Sequence, residues 1–330
     1  MSNNLTCAAV AELNRLASLN FILFQFVDLT TAAITFIFTY FAAKVLFKWS
    51  IFQSSTKILL VLNLLYAVMY QFTYGIEAVI IIYKHFYKKD SPCELLQLES
   101  DCAFSMKSLL CCTSGMIYCQ TGLILERTFA TFLRDYKGTK SLIVGSSIAV
   151  IVLLLSALTG PIIYWDDPLS GAILACFVFP KQSATRSTVY FFVVTGITLF
   201  NLATSISLNK YNAKLEYQVR FKLCARFHKR EIIESTGTVC FLTFAQFFLM
   251  FIYSLGISIL KSIRNMITPE QYYHWVVWLY TVPFIAMLFP ILLTYSISKT
   301  KSHRSQILVG ITTTKQTQEE HIAQMKVMWK

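Results

Sequence analysis

Residues Cys102 to Arg127 read CAFSMKSLLCCTSGMIYCQTGLILER. The stretch is apolar, with a cysteine at one end and the Glu126-Arg127 pair at the other. Wound as an α-helix its ends lie roughly 37 Å apart, a little more than the ~30 Å hydrocarbon core of a bilayer. Such a helix crosses a membrane and places its two ends in different compartments. A disulfide-capable residue belongs on the oxidising side, and an ionic boundary with an arginine belongs on the cytoplasmic side. The stretch therefore predicts its own direction, with Cys102 outside and Arg127 inside.

The rest of the chain agrees with a membrane setting. Its 330 residues are 55% hydrophobic with a mean hydropathy of +0.56, too apolar for a soluble domain with a polar surface. Seven apolar segments are each long enough to span: Phe21–Phe47, Ile58–Ile82, Ala103–Leu125, Leu142–Trp165, Thr188–Leu208, Gly237–Leu260 and Trp275–Ser298. They leave no gap for a soluble domain. The expected architecture is an all-α membrane protein, a bundle of seven transmembrane helices. Residues 1–20 form an N-terminal segment, 21–298 the bundle and 299–330 a tail.

The formal charge of +12 is spread over alternate loops instead of forming one patch, which argues against nucleic acid as a partner. With the N-terminus outside, twenty of the 29 Lys and Arg fall on the inner side, so the positive-inside rule predicts N-out and C-in. No charged, apolar and small-residue succession marks a cleaved signal peptide before Phe21. The same orientation carries the sequon Asn4-Leu5-Thr6 to the lumen, where Asn4 can be glycosylated. It also puts Cys7, Cys93, Cys102 and Cys176 outside, and four cysteines allow three connectivities. A Cys102–Cys176 bond would tie the start of the third span to the loop after the fourth. Cys7 and Cys93 are then either a second bridge or two free thiols.

Charges within spans are functional candidates by default. Asp28 lies in the first span, Glu77 in the second and Lys107 in the third. A Glu77–Lys107 pair would position two helices or polarise an outer pocket; the alternative is that each charge reaches the nearby interface on its own. Along the third span Lys107, Cys111, Ser114, Tyr118 and Thr121 recur at helical spacing. With Glu77, the first four form the expected ligand-pocket set, although helix packing alone also favours small polar residues there. The five histidines show no metal-ligand spacing, and no acids pair at mid-membrane depth. Neither an enzyme nor a metal or cofactor site is expected.

The bracketing of the third span by Cys102 and Arg127 resembles the rhodopsin-like receptors, in which the bridge cysteine and the arginine of a Glu/Asp-Arg-Tyr motif flank the third helix. Thr128 stands here in place of the tyrosine, and the last span lacks the Asn-Pro-x-x-Tyr pattern, with Phe289 in place of the asparagine. The resemblance implies a Cys102–Cys176 bridge and a switch at Glu126-Arg127. It also implies a G-protein contact on the basic stripe Lys222, Arg226 and Lys229, which otherwise reads as a segment lying on anionic headgroups. Amine-binding members carry an acid two turns below the bridge cysteine. That position is Leu109, so an amine anchored in that way is not expected.

A narrower resemblance rests on LEYQVRFKLCARFHKREIIESTGTVCFLTFAQ (215–246), ERTFATFLRDYK (126–137) and CAAVAELNRLASLNF (7–21). Together these are similar to the nematode serpentine receptor class alpha family. The ER-x3-AT stretch is shared with the class alpha/beta receptors, whereas the KRE-x3-ST run is the more discriminating. The resemblance implies a G-protein-coupled chemoreceptor in the cell membrane of sensory neurons, on their cilia, with a small-molecule ligand and a heterotrimeric G protein as partners. A multi-pass ligand-gated channel or transporter is the alternative.

Overall fold

The structure is a computed structural model that describes residues 16–313 together with Leu13, apart from 50–51, 89–90, 92, 94, 134–135, 137, 178–179, 181, 219–222 and 265. Asn4, Cys7 and Lys222 lie outside the described residues. The helices are α1 (Leu19–Trp49), α2 (Ser54–Tyr87), α3 (Glu99–Phe132), α4 (Thr139–Ile163), α5 (Ala184–Gln218), α6 (Leu223–Ser262), α7 (Pro269–Leu279) and α8 (Val282–Thr313). Two short strands, β1 (Gln97–Leu98) and β2 (Ala172–Ile173), pair antiparallel. Among the described residues seven helical stretches are long and apolar enough to cross a membrane, the seventh running from α7 into α8. The chain is thus a seven-transmembrane bundle, as the apolar periodicity predicts.

The helices overrun the apolar segments because a helix satisfies its own backbone and need not end where the side chains turn polar. Thus α2 begins before Ile58 and ends after Ile82, and α8 continues past Ser298, so the expected bundle–tail boundary falls inside a helix. The distribution of polarity is inverted relative to a soluble protein. Leu154, Phe200 and Phe248 are exposed, whereas Asn63, Gln71, Ser114 and Thr198 are buried. Lipid is the expected solvent for the first set, and the bundle interior receives the second. Interior hydroxyls bond back to carbonyls one turn earlier, as Thr35 to Thr31 and Thr113 to Leu109 do.

The helix that carries the opening stretch is the axis of the bundle. In α3 the most apolar 18-residue window is 72% buried, against 28% in α4. Around this axis a small residue lets two neighbouring helices approach closely. A Cβ on Gly145 of α4 would lie 2.6 Å from the Ser55 Cα of α2, so only glycine lets those two backbones meet. The consequence is local: Ser141, one turn before Gly145, reaches the Ser55 hydroxyl at 2.7 Å.

The seventh span is broken. Thr268 caps α7 with a capping box, its Oγ1 accepting from the Gln271 N–H while the Gln271 Oε1 accepts from the Thr268 N–H. The helix ends at Leu279, and a new one starts at Val282 with Pro283 in its first turn, where a missing N–H costs nothing. The Thr281 carbonyl accepts from the N–H of Phe284 and of Ile285, and its hydroxyl donates to the Leu249 carbonyl at 2.7 Å. Pro283 therefore sits at a helix start, not at a kink within one continuous helix.

Candidate functional site

The bundle has two chemically distinct ends, joined by α3. At the first, Cys102 and Cys176 form a disulfide with a Cα–Cα distance of 5.0 Å. Strand β2 precedes Cys176 and pairs with β1, which leads into α3, so the loop after α4 folds back over this end. Glu99 fastens the turn: its N–H donates to the Gly171 carbonyl and its carboxylate accepts from the Gly171 N–H, both at 2.9 Å. A side chain at 171 would collide with that carboxylate, its Cβ 2.6 Å from Oε1. Two buried charges of α2 hold the same loop. Lys84 Nζ donates to the Leu174 carbonyl at 3.0 Å, and Glu77 Oε2 accepts from the Cys176 N–H at 3.4 Å. Cys93 is also disulfide-bonded, and Cys7, its expected partner, lies outside the described residues.

The expected Glu77–Lys107 pair is not made. Lys107 is exposed and its backbone packs against Gly160 of α4, whereas the lysine near Glu77 is Lys84, two turns further along the same face of α2. Helical rotation explains the difference: the turn that carries Lys107 presents it to α4, not to α2. Of the other expected pocket residues, Ser114 is buried, donates to the Leu110 carbonyl and shares a 2.7 Å hydrogen bond with the Tyr190 hydroxyl. Cys111 is a partly buried free thiol, and Tyr118 is partly buried. Beneath the loop lies a small cavity of about 10 Å³, room for about one water. Leu109, Thr113, Tyr164, Phe177, Phe191 and Tyr280 are in its wall.

Aromatic rings continue from that cavity into the bundle. Tyr74 lies 5.4 Å from Phe177, 5.8 Å from Tyr280 and 5.7 Å from Tyr70, centroid to centroid. Tyr280 meets Tyr253 at 5.6 Å, and the Tyr70 hydroxyl donates to that of Tyr280 at 2.9 Å. None of these tyrosines was expected at a site. The only sequence signal for Tyr70 and Tyr74 is their one-turn spacing, and Tyr280 reaches the group through the helix break.

At the opposite end Glu126 and Arg127, 0% and 1% exposed, form the centre of a polar cluster. The guanidinium is held by the carboxylate through Nε–Oε2 and NH2–Oε1, each at 2.6 Å. Glu126 also accepts from Ser55 at 2.6 Å, Thr56 at 3.1 Å and Tyr136 at 3.2 Å. Arg127 in turn donates to the Thr56 hydroxyl and, through NH1, to Ser235 of α6 at 3.0 Å. Helices α2, α3 and α6 and the α3–α4 loop therefore meet on one ion pair. Tyr136 remains a donor: burial first, then the neighbouring Glu126 carboxylate, push its hydroxyl pKa up. Sequence reading found the pair but not its partners. Ser235 belongs to the KRE-x3-ST run, and Ser55 and Thr56 open α2, so the signals were short hydroxyl clusters at span ends.

One further set of contacts ties α3 to the helices beyond it. Asn201 and Asn212 of α5 donate to Thr121 and Thr131 at 2.9 and 3.0 Å, and Thr243 of α6 donates to Gln120 at 3.4 Å. Of the expected G-protein residues, Arg226 and Lys229 fall in the first turns of α6. Lys222 lies outside the described residues.

A family profile described as "Serpentine type 7TM GPCR chemoreceptor Sra" matches residues 1–329. The chain is 57% identical over 326 residues to serpentine receptor class alpha-8 of Caenorhabditis elegans, covering 99% of each. It is 50% identical over 327 residues to serpentine receptor class alpha-9 (98% of this chain, 99% of the relative) and 49% identical over 327 residues to class alpha-6 (99% of each), both of the same organism. With seven spans, a disulfide and a match from end to end, the chain belongs to the serpentine type 7TM GPCR chemoreceptor Sra family, a family of multi-pass membrane receptors.

Proposed function

We propose that this receptor binds a small chemical ligand at its disulfide end, outside the cell, and signals through a heterotrimeric G protein at its Glu126-Arg127 end, inside. The observation that carries the reading is the bond from Arg127 to Ser235. It is the hydrogen bond by which the ion pair of α3 holds α6. Parting α6 from α3 opens the inner end of the bundle and frees a guanidinium, the type of transition by which a helix bundle switches. A ligand that repacks the Tyr74–Phe177–Tyr280 group would favour the open state by its differential affinity for it. The wall of the small cavity, with Ser114 and Tyr190 next to it, is the binding region. Cys111 and Tyr118 continue it along α3. Glu77 acts there by holding the loop, and exposed Lys107 stands apart. The basic residues Lys222, Arg226 and Lys229 would supply positive charge for the partner's acidic surface.

In this reading the N-terminus with Asn4 is lumenal, the tail is cytoplasmic, and the protein resides in the cell membrane of a sensory neuron, on its cilium. The positive-inside asymmetry supports the orientation. A panel of small molecules applied to cells that express the receptor, read out by calcium, tests the function. The expected result is a dose-dependent rise that requires the G protein and is lost in Arg127→Ala at equal surface density. Ion currents from the pure reconstituted protein with no G protein present would contradict it and favour a channel.

A further inference from the structure

Asp28 has no role in either site, and its surroundings do not explain it. The side chain is 0% exposed, roughly 13 Å along α1 from Leu19. Neither carboxylate oxygen has a hydrogen-bond partner among the described residues. Gln25, one turn earlier and on the same face, is also 0% exposed, with both amide atoms unpartnered. A carboxylate and an amide buried within a membrane span with nothing to bond cost several kcal/mol that two leucines would not. Packing alone does not account for them.

What does face Asp28 is aromatic. The Tyr74 hydroxyl is close enough to interact with the carboxylate but outside hydrogen-bonding geometry for either oxygen, and the Tyr70 and Tyr280 hydroxyls also lie within electrostatic reach. No lysine, arginine or histidine forms an ion pair with Asp28 among the described residues. The available donors are all oxygen, which suits a hard cation or an ammonium group, and tyrosine faces attract cations as well. The cluster also adjoins the disulfide-end cavity: Phe177 and Tyr280 are in the cavity wall and both rings touch Tyr74.

We propose that Asp28, with Gln25 and the hydroxyl and ring of Tyr74, forms a subsite for a monovalent cation. Its natural occupant is a sodium ion, or the ammonium head of a small ligand whose apolar body widens the neighbouring cavity by repacking the Tyr74–Phe177–Tyr280 group. Leu109 on α3 leaves that helix without an anionic anchor for such a ligand; Asp28 supplies one from α1. The route through the cavity rests on the ligand site proposed above, whereas cation binding itself does not.

The test uses the purified full-length receptor in lipid nanodiscs without G protein, so that failure here would leave the signalling proposal standing. Thermal unfolding is followed in sodium chloride against N-methylglucamine chloride at equal ionic strength. In the second salt it is followed again with 2-phenylethylamine against 2-phenylethanol, the same skeleton without the charge. The expected result is a saturable rise of several degrees in the unfolding midpoint with sodium, with the amine, or with both, and none with the alcohol. Asp28→Asn keeps the shape and removes the charge. It should abolish the rise while unfolding no lower than wild type in N-methylglucamine, because no ion pair is lost. A response to the amine alone identifies the ligand head as the occupant, and a response to sodium alone identifies the ion. Should Asp28→Asn fail to express, Gln25→Leu decides, with an expected loss of about threefold to tenfold in apparent cation affinity. No cation-dependent rise in wild type, an equal rise in Asp28→Asn, or an unchanged affinity in Gln25→Leu where that variant decides overturns the proposal.

Discussion

Glu126 and Arg127 are neighbours in sequence, and adjacent helical residues do not ordinarily face one another. They meet because both side chains turn into the same dry interior, where neither can reach water and each is the other's strongest partner. Their supports are unequal, and that inequality makes a prediction. After Arg127→Ala the carboxylate still accepts from the Ser55, Thr56 and Tyr136 hydroxyls. After Glu126→Ala the guanidinium keeps, among the described residues, the Thr56 and Ser235 hydroxyls. A buried charge left without its partner costs about 3–5 kcal/mol, and the hydroxyls offset more of that for the carboxylate. Glu126→Ala should therefore reduce surface expression and unfolding temperature more than Arg127→Ala, measured by flow cytometry and by thermal unfolding of the purified variants. The reverse order would mean that the hydroxyls are not holding the carboxylate.

At the scale of elements, two contacts decide how the helices stand. Gly145 lets α4 lie on α2, and Gly145→Ala forces a Cβ against the Ser55 backbone. Overpacking of this kind costs about 1–3 kcal/mol, and it pulls Ser55 from Glu126, so the variant should lose surface expression and thermal stability while Gly237→Ala, with open space around it, should not. The Cys102–Cys176 bond closes a loop with a sequence separation of 74, for which the chain-entropy relation gives about 4 kcal/mol. Cys102→Ser, Cys176→Ser and the double variant should show the same loss in expression and thermal unfolding, because each removes the same bond. These elements were unequally legible in the sequence. A long apolar run between Cys102 and Arg127 specifies α3 outright, since few structures other than a helix can hide its backbone in lipid. The break at Tyr280-Thr281 was hidden, because Pro283 in an apolar run reads equally as a kink or a start; only the Thr281 carbonyl and hydroxyl bonds distinguish them. Lys107 was misplaced for a related reason: spacing identifies a helical face but not which neighbour that face meets.

Over the whole molecule α3 joins the two ends of one bundle, and the proposed function requires it to couple them. The seven spans were readable from composition and periodicity, and the ion pair from its place at the end of one of them. The hydroxyl partners and the tyrosine group were not, because they converge from α2, α6, two loops and the break between α7 and α8, and the sequence carries no trace of which of these adjoin. The orientation predicts that an epitope tag at the N-terminus is reached by antibody on intact cells and one at the C-terminus only after permeabilisation; the opposite pattern would reverse the assignment of ligand and G-protein ends. The central claim is that the ion pair restrains α6 through Ser235. Its most direct test is guanine-nucleotide exchange on G-protein alpha subunits by the purified receptor without ligand, compared between wild type and Ser235→Ala. Loss of one hydrogen bond to a charged group, about 1.5–3 kcal/mol, predicts basal exchange raised about tenfold or more, up to saturation. Exchange equal to or below that of wild type, with the variant folded and an alpha subunit that couples to the receptor, would contradict it.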